Sequence, residues 1–239
     1  MGMPFTLAVR GDAAPGCFEQ AFAELRMLDA LFSPFRAESA VGRINAGTLD
    51  ARSAGALVSE VSELCEHYAA RTNGYFSAWA SGRFDPTGLV KGWAIERVCA
   101  ILERAGYRDY FVDGAGDVRT RGEREPGMPW RVGIRHPFAR GMVTQVLEAT
   151  DLAVATSGTY EKGVHILDPH TGRAATDLLS FTVVGPNIVA ADAYATAAFV
   201  MGMAGLAFIE RLSGYEAYAI DPALRSRWTT GFAAHRAAA

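Results

Sequence analysis

A chain of 239 residues, half of them hydrophobic, is long enough to bury one large core or two small domains that share one. Its formal charge is -3, from 23 basic and 26 acidic residues well mixed along the chain, so the long-range field is weak. Nucleic acid is therefore not an expected partner, and any anionic ligand must be held by local charge.

In chain order, "FTLAV" (Phe5 to Val9) reads as a strand, and Phe18, Phe22, Leu25, Leu28 and Phe32 recur at helical spacing until Ser33-Pro34. A second helix is predicted from an N-cap at Ser53, with a stripe of Leu57, Val58, Val61, Leu64, Cys65 and Tyr68 closed by Asn73-Gly74. A third runs from about Leu89 to Arg104 and stops at Gly106. Short apolar runs follow, "YFV", "WRVGI", "TQVLEA", "LAVATS", "VHIL" and "FTVVG", separated by turn residues in the manner of antiparallel strands. One long helix from Ala191 to about Leu212 and two closing strands, "EAYAID" and "SRWTTGF", complete the chain. Helices and strands come in blocks, which predicts an α+β fold with a largely antiparallel sheet. No repeat or linker divides the chain, so residues 1 to 239 are read as a single domain.

Ala193 to Ile209 carries no charge over 17 residues, but this is short for a membrane span and begins beside Asp192, so a buried helix is expected. The opening residues lack the pattern of a secretory signal. Cys17, Cys65 and Cys99 are far apart, without zinc-site spacing or a C-x-x-C pair, so reduced thiols in a cytoplasmic protein are expected.

Several short stretches carry chemically useful groups. Asp192 and Thr196 stand four apart, which puts both side chains on one helix face with Cβ atoms roughly 5–6 Å apart. Adjacent oxygens on an octahedral Mg²⁺ lie on the order of 3 Å from each other, a separation this pair can reach; an Asp at a helix start and a Thr inside it are also ordinary structural residues. In "FDPTGLVKGWAIE" (Phe84 to Glu96) a turn at Asp85-Pro86-Thr87-Gly88 leads into a helix with Lys91 and Gly92 in its first turn. Helix-start N–H groups and a lysine suit a phosphate, although a capped surface helix reads the same and the spacing is not a P-loop. "VDGAGDV" (Val112 to Val118) matches neither a calcium loop nor a dinucleotide fingerprint, which leaves a tight turn between strands. In "ATSGTYEKGVHILDPHTG" (Ala155 to Gly172), Ser157 has no nucleophile elbow and His165 no zinc-protease partner, so a catalytic triad is not supported.

Taken in order, "MGMPF", "FSPFRAESAVGRIN" (Phe32 to Asn45), "FDPTGLVKGWAIE", "DGAGD", "ATSGTYEKGVHILDPHTG" and "ADAYATAAFVMG" (Ala191 to Gly202) resemble the ApbE family of FAD:protein FMN transferases, from residue 1 to about Gly202. The resemblance implies an ApbE-like, T-fold-related architecture. It also implies a Mg²⁺-dependent reaction in which FAD is split at its pyrophosphate and the FMN half is joined by a phosphoester to a Thr or Ser of an acceptor protein. By motif position it assigns the metal to the Asp192 carboxylate, the Thr196 hydroxyl and the Gly88 carbonyl. Flavin contacts go to Met1, Phe35, Asp85, Lys91 and Ile166, and His165 becomes the base for the acceptor hydroxyl. Thr156, Ser157 and Thr159 would supply polar lining, and the Asp168-Pro169 turn would fix the histidine.

Departures from the family pattern are visible as well. Phe35 stands where the family usually has tyrosine, Ala115 replaces the first glycine of a pair, and the stretch between "GYF" and "FDPTG" is short. An FAD pyrophosphatase releasing FMN and AMP, and a non-catalytic FAD-binding protein, are the alternative readings.

Overall fold

The computed structural model describes residues 3–12, 14–139, 141–159 and 166–237. A seven-stranded antiparallel sheet runs in the order β1 (Phe5–Val9), β2 (Tyr110–Gly114), β3 (Asp117–Arg121), β7 (Ala153–Gly158), β8 (Ser180–Gly185), β9 (Glu216–Ile220) and β10 (Ser226–Trp228). A three-stranded sheet of β4 (Glu123–Glu125), β5 (Met128–Arg135) and β6 (Val143–Ala149) packs on one of its faces. The helices α1 (Cys17–Phe32), α3 (Ala56–Arg71), α4 (Thr87–Arg104) and α5 (Ile188–Val200) cover the other, together with the short α2 (Ala40–Asn45) and α6 (Ala204–Ile209). The expected α+β fold with an antiparallel sheet is the fold observed.

Strand parity assigns each side chain to one of two apolar cores. Ala153 and Ala155 of β7 and Phe181 and Val183 of β8 face the helices, whereas Val154 and Val184 face the small sheet with Trp130, Val132 and Leu147. Because β8 is covered on both sides, its six residues are all buried, and it reads as an apolar run rather than an alternation.

The helix layer differs from expectation in three places. α3 begins after Gly55, whose φ of 97° suits glycine, while Asp50 caps a separate 3-10 turn at Ala51–Ser53; Ser53 is not the cap. The last helix is not continuous: α5 stops at Val200, Gly202 turns left-handed with φ 63°, and α6 restarts at Ala204. α4 starts at Thr87, which moves Lys91 and Gly92 from the first turn to the second. Two strands rich in charge, β3 and β4, and the short α2 have no apolar period of their own to betray them. Of "VHIL", Val164 and His165 lie outside the described residues, and Leu167 forms only an isolated bridge to Ala174.

α5 lies between α4 and the sheet and is buried nearly all round. Its alanines 191, 193, 195, 197 and 198 leave little side-chain bulk, so neighbouring backbones come close. Asn187 caps its start, accepting from the Ala190 N–H at 2.9 Å. At the crossing with α4, a Cβ on Gly92 would stand 2.7 Å from the Ile188 carbonyl oxygen and 3.0 Å from Asp192 Cβ. Only a residue without a Cβ fits there.

Candidate functional site

A cleft of about 220 Å³ opens where the start of α4, the end of β7, the middle of α5 and the loop before α4 converge. Its walls include Phe35, Asp85, Gly88, Lys91, Ile166, Asp192 and Thr196. Seven of the nine sequence-derived site residues therefore meet at one place. The other two, Met1 and His165, lie outside the described residues.

The first wall is the turn into α4. Asp85 Oδ1 accepts from the Thr87 N–H at 3.0 Å, closing an Asx turn that leaves Pro86 at the helix N-cap position. Asn45, at the end of α2, clamps the preceding residue from both sides: its Nδ2 donates to the Phe84 carbonyl at 2.9 Å and its Oδ1 accepts from the Phe84 N–H at 2.7 Å. The "FSPFRAESAVGRIN" stretch thus serves the site twice, lining it with Phe35 and, through Asn45, holding the backbone that presents Gly88.

Gly88 faces α5 directly, and a Cβ there would lie 3.2 Å from Thr196 Oγ1. That proximity lets the Thr196 hydroxyl reach the Gly88 carbonyl, with 3.4 Å between the two oxygens. One turn earlier on α5, Asp192 is 4% exposed, and its Oδ2 accepts from the Gly92 N–H at 2.8 Å. A carboxylate, a hydroxyl and a carbonyl thus share one corner of the cleft. This all-oxygen set suits a hard divalent cation such as Mg²⁺, and the 3.4 Å separation is close to the edge of an octahedral shell. Among the described residues no group of three or more His, Cys, Asp or Glu is placed to hold a metal. A cation here would rely on one carboxylate, neutral oxygens and the oxygens of its ligand, as Mg²⁺ commonly does.

Electrostatics sharpen the point. Burial, and after it the neighbouring Asp117 charge, push the Asp192 carboxyl up to about 8 against the pull of Lys91 and the Gly92 N–H. Asp117, 1% exposed, is also raised by burial and opposed chiefly by Lys91. The Lys91 ammonium forms an ion pair with Asp117 Oδ2 at 2.8 Å, and Asp117 Oδ1 accepts from the Thr156 N–H at 3.0 Å. Among the described residues, two buried carboxyl groups share one lysine at this corner, which favours a bound cation.

The remaining walls are apolar or aromatic. Phe35 is 94% exposed at the cleft mouth, its ring available for stacking, and Tyr75, Phe76 and Ile166 line the interior. Thr156 and Ser157 line the cleft as expected. Thr159 does not; its N–H donates to the Leu179 carbonyl instead. The turn after Ile166 is rigid: Asp168 accepts from the His170 N–H at 2.8 Å and from the Thr171 hydroxyl at 2.9 Å.

Sequence reasoning missed Asp117. It sits in "DGAGD", set aside as a turn, and only the fold brings it under Lys91. That turn is a two-residue hairpin loop with Ala115 at φ 53° and Gly116 at φ 99°, so an alanine occupies a left-handed position that favours glycine.

The comparisons with known proteins agree with one another. The FAD:protein FMN transferase of Vibrio cholerae serotype O1 is 36% identical over 128 residues, 49% of this chain and 38% of that protein. The one from Treponema pallidum is 32% identical over 173 residues, 64% of this chain and 48% of that protein. The chain thus spans about half or less of the length of these curated relatives. In three dimensions it resembles the flavin transferase ApbE from Vibrio cholerae, with a TM-score of 0.84 at 21% identity, covering 98% of this chain and 96% of that one. The ApbE protein from Thermotoga maritima superposes with a TM-score of 0.83 at 22% identity over 99% and 97% of the two chains. At such identities these superpositions establish the fold. The ApbE family model matches residues 1–81 and 80–219, and with that coverage the chain belongs to the ApbE family.

Proposed function

We propose that the protein is a Mg²⁺-dependent FAD:protein FMN transferase, acting as one unit over its whole length and moving the FMN half of FAD onto a Thr or Ser hydroxyl of an acceptor protein. The observation that carries the reading is the convergence of the Asp192 carboxylate, the Thr196 hydroxyl and the Gly88 carbonyl beside Lys91 in a single cleft. The names of the curated relatives point the same way.

Asp192, Thr196 and the Gly88 carbonyl would hold Mg²⁺, which when bound neutralises negative charge on the diphosphate and polarises its phosphorus. Lys91 supplies a second positive charge from the neighbouring wall, on a side chain only 18% exposed. Phe35 would offer a ring face to the isoalloxazine and Ile166 an apolar contact from the same cleft, while Asp85 holds the turn that presents Gly88. The acceptor oxygen forms a bond to the FMN phosphorus as the bond from that phosphorus to the AMP oxygen breaks. The hydroxyl proton passes to a base, the role given to His165, and such a base typically contributes about 10²–10⁴-fold. Met1 is assigned to the flavin on motif position alone.

The three cysteines are free and buried, and no helix among the described residues is long and apolar enough to cross a membrane. Three buried cysteines without a disulfide suit the cytoplasmic place of action proposed here. The test is incubation with FAD, Mg²⁺ and a domain bearing an FMN-attachment threonine, read by intact mass. Covalent FMN on the domain is the expected result. Release of FMN and AMP at the same rate with or without the acceptor would replace transfer by hydrolysis, and unaltered FAD would leave only a binding protein.

A further inference from the structure

Ser157, at the end of β7, lines the cleft but has no part in the metal or flavin assignments above. Strand parity sends it to the helix-facing side with Ala153 and Ala155, while its neighbour Thr156 places Oγ1 2.9 Å from Thr182 Oγ1. On its own side, Ser157 Oγ stands 3.2 Å from Thr196 Oγ1. Among the described residues, the Thr196 hydroxyl has hydrogen-bond contacts with two oxygens, Ser157 Oγ and the Gly88 carbonyl at 3.4 Å.

A hydroxyl has one proton to donate, and binding a cation occupies a lone pair on its oxygen. In a site where the Gly88 carbonyl also faces the cation, that carbonyl can no longer take the Thr196 proton. An acceptor must then stand on the other side, and Ser157 Oγ is in that place. Partners of this kind fix the orientation of a ligand and raise its basicity, and their loss typically weakens metal affinity about 10–100-fold.

We propose that Ser157 is a positioning residue for the cation: it accepts the proton of Thr196 and so turns the Thr196 lone pair toward the Gly88 carbonyl corner. The inference rests on the metal reading given above.

The test compares wild type with S157A, S157T and S157V, titrating Mg²⁺ at a fixed excess of ADP and following the melting temperature, with EDTA as the baseline. S157T and S157V have nearly the same shape and differ in the hydroxyl, so the pair isolates the hydrogen bond. The expected result is a half-saturating Mg²⁺ concentration about 10–100-fold higher for S157A and S157V, with S157T within a few-fold of wild type. The melting temperature of S157A in EDTA stays within about 2 °C of wild type. In FMN transfer, S157A recovers most of its rate at high Mg²⁺. S157A titrating like wild type overturns the proposal. So does an S157T as poor as S157A, or an S157A that has lost its stability in EDTA, since either makes the residue a packing element. A wild type that Mg²⁺ does not stabilise at any concentration removes the metal reading itself, a different outcome from the others.

Discussion

The close crossing of α4 and α5 is the feature on which the site geometry depends, and Gly92→Ala tests it through the sign of a stability change. At an indifferent position inside a helix, replacing glycine by alanine stabilises by about 0.8–1 kcal/mol. Here the added Cβ would meet the Ile188 carbonyl oxygen at 2.7 Å and Asp192 Cβ at 3.0 Å, both rigid parts of a buried helix. Overpacking of this kind costs about 1–3 kcal/mol. Moving the helices apart also stretches the 2.8 Å hydrogen bond from the Gly92 N–H to Asp192, and a bond to a carboxyl that burial keeps protonated is worth about 0.5–1.5 kcal/mol. Partial loss of that bond, added to the overpacking and less the helix propensity, leaves a net destabilisation of about 2 kcal/mol. For a chain of this length that is a fall of roughly 4–8 °C in melting temperature. The same shift carries Asp192 away from Gly88 and Thr196, and a misplacement near 1 Å costs on the order of 100-fold in rate. Differential scanning calorimetry and an FMN-transfer assay read the two effects. A melting temperature that rises or holds, with transfer within two-fold of wild type, would refute the close approach and the site built on it.

Three further outcomes follow from the same structure. Asp192 is raised toward about 8 from an ordinary carboxylate value near 4, so without metal its ionisation opposes folding. The native state holds the proton longer than the unfolded chain does, and stability is lost as pH rises from about 4 to about 8. Urea midpoints in EDTA should fall over that window for wild type relative to D192N, and Mg²⁺ at pH 8 should stabilise only wild type; parallel profiles would refute the assignment. At the β2–β3 turn, Ala115 sits at φ 53°, which costs a non-glycine residue about 1–2 kcal/mol, against about 0.4–1 kcal/mol of unfolded-state entropy that glycine adds. A115G should therefore melt about 1–4 °C higher, and a lower value would mean the turn is held by something other than its backbone conformation. Burial pushes the Cys65 and Cys99 thiols up to about 12 and raises Cys17 as well, so a thiol-reactive probe at pH 8 should label none of them in the native protein and all three after denaturation.

The parts of the fold visible in the sequence are those whose burial is one-sided. α1 and α3 each bury one stripe, and β5 alternates along its length, so their apolar periods show plainly. α5 and β8 are covered on all sides, and uniform burial erases the period that would mark an end. Hence α5 merged with α6 until the left-handed Gly202 separated them. β3, with the sequence "DVRTR", reads as polar because its stability comes from pairing with β2 and β7 and from what Asp117 and Thr120 bond, not from an apolar face.

The site was legible in a different way. Asp192 and Thr196 are four apart on one helix, and Asp85, Gly88 and Lys91 fall within seven residues, so local spacing alone groups each set. That the two sets meet depends on Gly88 and Gly92, whose missing Cβ atoms let α4 rest directly on α5. A glycine at i and i+4 of a helix carries no apolar signal, and nothing local says which helix it will receive. Asp117 and Ser157 were harder still, since each acts through a partner distant in sequence, Lys91 in one case and Thr196 in the other. Type and spacing group the chemistry-bearing residues and the family resemblance gives them roles, whereas the residues that aim them are fixed by backbone approach. It follows that substitutions at Gly88, Gly92 and Asn45, none of which carries a reactive side chain, should impair the site as much as loss of a side chain that lines it.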